Sequence, residues 1–490
     1  MRGRRNVPDV VSILGIPYAY PPFGANRFRE PQRARGWSGV RDCGDFGPIA
    51  PQSAELPGAP TWSPDDQDVL TVNVWTSASA DDPMPVLVWI HGGAYTFGSS
   101  AQPDFDGTAL ARAGLVVVTC NYRLGFEGFG HIPAGEGAPY PDNRGLLDQI
   151  AALHWVRENI AAFGGDPGNV TVAGQSSGAA SVAALMVIGR ARGLFRRVIA
   201  HSVASTYYSV DLAASTTRKV ALAAGCQAEP LSLAAASPQA LVNASDQVVN
   251  GYRKNPASGP RHYDPVIFGP IVDGDILTTD PLSGVAAGTA HDVDLLVCHT
   301  TQEYWLLDAV GSSAKVTTDA QLAMFAGDFD LPSDLVAGYR TLMPDAPVLD
   351  VYLAIFGDLM FCEYTSRLAE GQAEAGGRAF LSRFDRQQTD SGHLVRAWHC
   401  ADIPFAFGNI DNKSLAFLIG GTPNAADRDL SRRMVRAWAD FAATGDPGWP
   451  PISDTSTQVK IWTTDADPAT QEFLNTRALW QNFDFPLLRP

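Results

Sequence analysis

Gly174-Gln175-Ser176-Ser177-Gly178 sets a serine between two glycines, the G-x-S-x-G spacing of a residue held ready to attack a carbonyl carbon. The chemistry this suggests is acyl transfer: a serine oxygen attacks, an acyl-enzyme forms, and water releases the acid. A pattern this short also arises by chance, so its flanks matter. Residues 169–173 read as a short strand, and residues 179–186 as a buried helix rich in alanine and other apolar residues. That strand–turn–helix setting has a physical reason. The sharp turn holds the serine in a strained backbone conformation, and the glycines let neighbouring backbone pass closely. The helix start behind Ser176 offers free N–H groups and the positive end of a helix dipole. The competing reading, a Gly/Ser-rich turn without chemistry, is weakened by this context.

A tetrahedral intermediate needs donors for its oxyanion. His91-Gly92-Gly93-Ala94-Tyr95 follows an apolar strand at 85–90. Glycines there let backbone N–H groups converge without side chains in the way. The N–H groups of Gly92, Gly93 and Ser177 are the expected donors, each worth about 2.7–4 kcal/mol in the transition state. His91 is tempting as a base, but its place beside the glycines suggests a loop-organising role.

These segments must be positioned by strands alternating with helices. Residues 114–120 and 293–297 read as further strands, and residues 143–159 as an amphipathic helix with Leu146, Leu147, Ile150, Leu153, Trp155 and Val156 on its apolar positions. Residues 205–265 and 318–375 read as helical, and 429–443 as a late helix. The alternation predicts an α/β architecture. Nothing in the composition marks an interdomain linker, so residues 1–490 are expected to form a single domain with helical excursions.

The bulk properties narrow the partners. With 36 Lys and Arg against 52 Asp and Glu, the formal charge is −16, which disfavours nucleic acid and anionic membranes. No apolar run is long enough for a membrane-spanning helix. Arg2, Arg4 and Arg5 ahead of an apolar stretch at 10–20 superficially imitate a secretory leader, but Gly15, Pro17 and the polar Asn6-Val-Pro-Asp9 segment argue against one. The six cysteines form no C-x-x-C pair and read as buried free thiols rather than a disulfide framework.

At this point the chain resembles the type-B carboxylesterases, the α/β-hydrolase family of bacterial p-nitrobenzyl esterases and animal cholinesterases. The likeness runs along nearly the whole sequence. Gly15-Ile-Pro-Tyr-Ala19 and Arg27-Phe-Arg-Glu-Pro31 match its early motifs, and Asp68-Val-Leu-Thr-Val-Asn73 is similar to its E-D-C-L-x-L-N signature. Asn121-Tyr-Arg-Leu-Gly125, the segment from Asn143 to Gln149, and Phe163-Gly-Gly-Asp-Pro167 follow in family order. The resemblance implies an α/β-hydrolase fold, a mostly parallel twisted sheet flanked by helices with helical excursions over the active site. It also implies a triad in the order Ser, acid, His. Cys298-His-Thr-Thr-Gln-Glu303 makes Glu303 the expected acid, and His399-Cys-Ala-Asp-Ile-Pro-Phe405 makes His399 the expected base. The triad needs no metal and no organic cofactor.

Rivals exist at each position. His393 lacks the sequence that follows His399, while His299 and His201 read better as structural residues. Asp402 competes as the acid, although its closeness to His399 suits a helper or cap. Two departures from the family stand out. Gln175 occupies the place of its usual Glu, which removes a negative charge beside the base. Val69 and Ala50 replace both partners of a family disulfide, which fits a reducing, cytoplasmic setting.

The expected function is hydrolysis of a small-molecule carboxylic ester. A carbamate or aryl-amide hydrolase would use the same triad, and a non-catalytic cholinesterase-like binding protein is the alternative of a different class. Gln175, Tyr95 and Trp305 are expected in the substrate pocket, with Trp62, Phe97, Leu306, Phe356 and Phe361 as further apolar or aromatic candidates. They suggest an apolar or aryl substrate, although core packing competes for the same residues.

Overall fold

The computed structural model describes residues 1–490 except 55–60, 78–81, 135–139, 391–392, 454–457 and 466–474. Its centre is a ten-stranded sheet. The spatial order is Arg4–Val7, Val10–Pro17, Thr71–Ser77, Val116–Cys120, Met84–Ile90, Gly165–Gln175, Arg197–His201, Asp294–Thr300, Ala379–Phe384, Lys460–Trp462. The first three strands pair antiparallel and join Val116–Cys120 antiparallel. From Val116–Cys120 onward every pairing is parallel. This is the α/β-hydrolase arrangement the motifs implied.

Strand periodicity of two splits the apolar residues between the sheet's faces. Val86, Val88 and Ile90 enter one core, and Leu87 and Trp89 the other. Val116 and Val118 likewise part from Val117. Fully burying one such side chain contributes about 1.5–3 kcal/mol. The first core is covered by Arg144–Asn159 and Ser177–Val187, the second by Ile403–Phe407 and Ala425–Thr444. The stretch at 10–20 supplies the strand Val10–Pro17, with Val10 and Leu14 in the second core and Ile13 and Ile16 in the first.

The expected strands and helices are present with shifted ends. The strand before the elbow begins at Gly165 because Gly165 pairs with Met84 ahead of a register irregularity. The strands Arg4–Val7, Val10–Pro17, Thr71–Ser77, Ala379–Phe384 and Lys460–Trp462 lie beyond the expected set, and the shortest, Arg4–Val7 and Lys460–Trp462, show no readable alternation. All six cysteines are free thiols. Among the described residues, no helix is long and apolar enough to cross a membrane.

The scattered sequence motifs turn out to be wired to one another. Arg123 and Asp148, both buried, meet through Nε to Oδ2 and Nη2 to Oδ1 hydrogen bonds of 2.7 Å each. Asn73 accepts the Gly15 N–H and donates to Ser100 and Thr119. Asn121 accepts the Ser100 N–H, and its carbonyl accepts the Tyr18 hydroxyl. These residues brace the loops leaving the carboxyl ends of the parallel strands, where an open α/β sheet places its site.

Candidate active site

Ser176 sits at the turn between Gly165–Gln175 and Ser177–Val187 with φ 59° and ψ −126°, a conformation that L-residues rarely adopt. Its N–H donates to the His201 carbonyl at 2.9 Å, and its own carbonyl accepts the Ala180 N–H at 2.9 Å. The turn is locked by contact. A Cβ on Gly174 would run into the backbone of Gly178, and one on Gly178 into the Ile90 carbonyl. A side chain at Gly174 would displace the start of the following helix, and one at Gly178 the end of the strand that carries the glycine loop.

That loop lies directly against the serine. A Cβ on Gly92 would meet the Gln175 carbonyl oxygen at 2.8 Å and Ser176 Cβ at 3.1 Å. Gly93 has φ +111°, and a Cβ there would collide with the Phe97 carbonyl. The Ser177 N–H opens the helix behind the nucleophile. Gly92 and Ser177 therefore lie beside Ser176, and Gly93 follows Gly92 in the loop. His91 is buried, its Nδ1 is 2.8 Å from the Gly92 carbonyl, and its ring stacks on Tyr122 at 4.5 Å. Burial lowers its pKa to about 4, so it organises the loop as a neutral ring.

Glu303 and His399 arrive from the next strand ends. Nδ1 of His399 lies 2.6 Å from Oε2 of Glu303, and the His399 N–H donates to the Glu303 carbonyl at 3.1 Å. Oε1 of Glu303 accepts the Ser202 hydroxyl and the Thr300 N–H, each at 2.7 Å. Burial alone would raise the Glu303 carboxyl. The facing imidazolium and the hydrogen bonds from His399, Ser202 and Thr300 outweigh it and hold the group below the ordinary carboxylate range. Burial likewise opposes charge on His399, but Cys400 and Glu303, through charge and hydrogen bonding, lift its pKa well above the usual imidazole value. The Phe361 ring lies 4.2 Å from the His399 ring.

The rivals are placed elsewhere. Asp402 is fully buried and pairs with His201, Nδ1 to Oδ2 2.5 Å, so it neither caps the following helix nor orients His399. His299 is buried with its Nδ1 3.1 Å from the Thr300 carbonyl, and burial lowers its pKa to about 4. His393 begins the short strand His393–Val395. Among the described residues, two buried groups come within metal-ligating reach, His201 with Cys298 and Asp402, and His299 with Glu303 and Cys362. In the first, His201 and Asp402 are already bonded to each other. In the second, both Glu303 oxygens already accept protein hydrogen bonds.

The expected pocket residues divide. Gln175 reaches the base, its Nε2 3.0 Å from Nε2 of His399. Trp305 is half-buried, donates Nε1–H to Asp350 and carries the Arg396 guanidinium 5.2 Å above its ring. Tyr95 requires a correction: it is fully buried, its ring 4.5 Å from Phe129 in the first core. Ala94 and Tyr95 both take positive φ at this turn, 51° and 58°. Phe356 is also core, packed on Tyr304 at 4.3 Å. Trp62 is buried against Phe23, while Phe97 and Leu306 are half-buried. Ser202, the hydroxyl on Glu303, was missed by sequence reasoning. Its only signals are its place after the strand Arg197–His201 and the positive φ of 52° seen once folded.

Residues 1–480 match the family model of the carboxylesterase family. This chain belongs to that family. The carboxylesterase is a carboxylic ester hydrolase, similar over most of its length to enzymes of that name. It is 35% identical over 458 residues to the para-nitrobenzyl esterase of Bacillus subtilis (strain 168), covering 91% of this chain and 90% of that protein. It is 32% identical over 479 residues to the phenmedipham hydrolase of Pseudarthrobacter oxydans, covering 92% and 88% respectively. Among solved structures, the carboxylesterase EST55 of Geobacillus stearothermophilus superposes with a TM-score of 0.84 at 32% identity, covering 98% of both chains.

Proposed function

We propose that this carboxylesterase cleaves its ester through an acyl-enzyme on Ser176, with His399 as general base and acid and Glu303 as the orienting acid. The observation that carries the reading is the 2.6 Å bond from His399 Nδ1 to a Glu303 carboxylate that is itself fixed by Ser202 and Thr300. That bond puts the proton on Nδ1 and leaves the Nε2 lone pair for the Ser176 hydroxyl. As Oγ attacks the carbonyl carbon, His399 takes its proton. The N–H groups of Gly92, Gly93 and Ser177 receive the oxyanion, and the imidazolium then protonates the leaving alcohol. Water repeats the sequence on the acyl-enzyme. We assign this machinery to one catalytic domain over residues 1–490, a reading supported by two cores packed on the same sheet.

Apolar or aryl esters are the proposed substrates, supported by the Phe361 ring beside the base and the half-buried Trp305 two residues after Glu303. The relative named phenmedipham hydrolase favours a second reading, attack by the same serine on an aryl carbamate or amide. A cytoplasmic location belongs to the same proposal, supported by six free thiols.

The test pairs the wild type with Ser176→Ala on short p-nitrophenyl esters, a matched aryl carbamate and an anilide. Ester turnover that vanishes with Ser176 supports the mechanism, and the relative carbamate and anilide rates set the substrate class. Covalent labelling by an organophosphate at another residue would overturn it.

A further inference from the structure

The base of this site already has a hydrogen-bond partner on the nitrogen it needs for catalysis. His399 Nδ1 faces the Glu303 carboxylate at 2.6 Å and so carries the proton, which makes Nε2 an acceptor with one lone pair. The group 3.0 Å from Nε2 is the Gln175 carboxamide nitrogen. With His399 neutral, an amide N–H facing that lone pair is the complementary arrangement, since a carbonyl oxygen there would set two lone pairs against each other. Gln175 is held tightly enough for this to be specific. It is 5% exposed, its backbone pairs with His201, and a Cβ on Gly92 would meet its side-chain oxygen at 3.1 Å.

We infer that Gln175 is a positioning residue that aims His399 and favours its neutral form, against the pull of Glu303, by donating its amide proton to Nε2. The inference rests on the Ser176–His399–Glu303 reading and deepens it. A donor on Nε2 stabilises the neutral imidazole and repels an N–H in that position. The amide therefore favours the protonation state that can accept a proton. It must yield the lone pair to the Ser176 hydroxyl when substrate binds, and it holds an imidazolium more weakly than a carboxylate would. A carboxylate at position 175 would do the reverse. It has no proton to donate, it accepts from a protonated Nε2, and its charge favours the imidazolium.

The groups around His399 set the background against which this acts. Glu303 faces Nδ1 from the loop after Asp294–Thr300, Cys400 follows in the chain, and the uncharged Phe361 ring covers one face. Behind Glu303 lie Cys298 and Cys362, whose thiols burial pushes up, and His299, whose pKa burial lowers. Asp402, on the same loop as His399, is bonded to His201. All of these are common to the wild type and a Gln175 variant, so a difference between their pH profiles reports the residue at 175.

The experiment measures kcat/KM for a p-nitrophenyl ester against pH in the wild type, Gln175→Glu and Gln175→Met. It also measures the pH dependence of organophosphate labelling at Ser176. Gln175→Glu is expected to move the acid limb up by about 1–3 pH units, the effect of an opposite charge beside an imidazolium. Gln175→Met, which fills the same space without a donor, is expected to move it up by less than about 1 unit, the loss of one neutral hydrogen bond. Labelling should shift in step with turnover. A uniform loss of rate with an unmoved limb in the folded Met variant would overturn the inference and make Gln175 merely structural, as would a downward shift in Gln175→Glu. In both cases Ser176 would still be labelled and Ser176→Ala still inactive, so the triad reading would stand. Full turnover in Ser176→Ala would instead sink the triad reading itself.

Discussion

His201 and Asp402, 201 positions apart, meet at 2.5 Å inside the protein, and the same His201 holds the Ser176 N–H with its carbonyl oxygen. Asp402 follows His399 by three residues. The pair thus ties the strand that supports the nucleophile to the loop that carries the base. Substitutions of the two candidate acids should separate accordingly. Glu303→Gln is expected to lower kcat by about 10³–10⁴-fold, because it loses the charge and tautomer control on His399. Asp402→Asn is expected to cost mainly stability, about 1–3 kcal/mol, by weakening a buried charged hydrogen bond. Steady-state kinetics and urea unfolding of both variants check this, and a larger rate loss in Asp402→Asn would reverse the assignment.

Stability should depend strongly on a pair outside the site. Arg123 and Asp148 are both buried and share two hydrogen bonds of 2.7 Å. Asp148→Ala leaves the guanidinium charge uncompensated and is expected to destabilise the fold by about 3–5 kcal/mol. The midpoint of urea unfolding reads this directly. A change below about 1 kcal/mol would show that water reaches Arg123.

The rate should fall on the acid side above the ordinary histidine range. His399 must be neutral to accept the Ser176 proton, and its pKa is held above the ordinary 6.5. As pH drops through that raised pKa, the imidazole protonates and kcat/KM declines. The acid limb is therefore expected above pH 6.5, measured on a substrate that does not itself titrate. A limb below that value would mean that burial outweighs Cys400 and Glu303.

Gly93→Ala tests the glycine loop. The residue has φ +111°, and a Cβ there would strike the Phe97 carbonyl. The loop must shift, and the donors it carries move away from the oxyanion. A kcat loss of about 10²–10³-fold is expected with KM little changed. An unaltered kcat would show that the donors lie elsewhere.

The proposed nucleophile, Ser176, was legible in the chain because the constraints on its turn are local. Strand, two glycines, serine and helix all fall between Gly165 and Val187, so five residues and their flanks encode the turn. The sheet was legible for a similar reason, since the near-continuous apolar runs in Met84–Ile90 and Val116–Cys120 report strands buried on both faces. Glu303 and His399 are another matter. They stand 96 positions apart on loops from different strand ends, and periodicity says nothing about where two loops converge. Only family resemblance suggested them before the fold did.

What the sequence by itself determined is therefore the fold class, the elbow with Ser176 and the glycine loop, all products of short-range backbone sterics and hydrophobic pattern. Tertiary structure alone decided side-chain partnership: Tyr95 packed on Phe129 in the core, Asp402 given to His201, Ser202 to Glu303, and Gln175 to His399. The physical reason is that a buried polar group must find a partner among whatever distant elements pack against it. That choice exists only once the strand ends have been brought together.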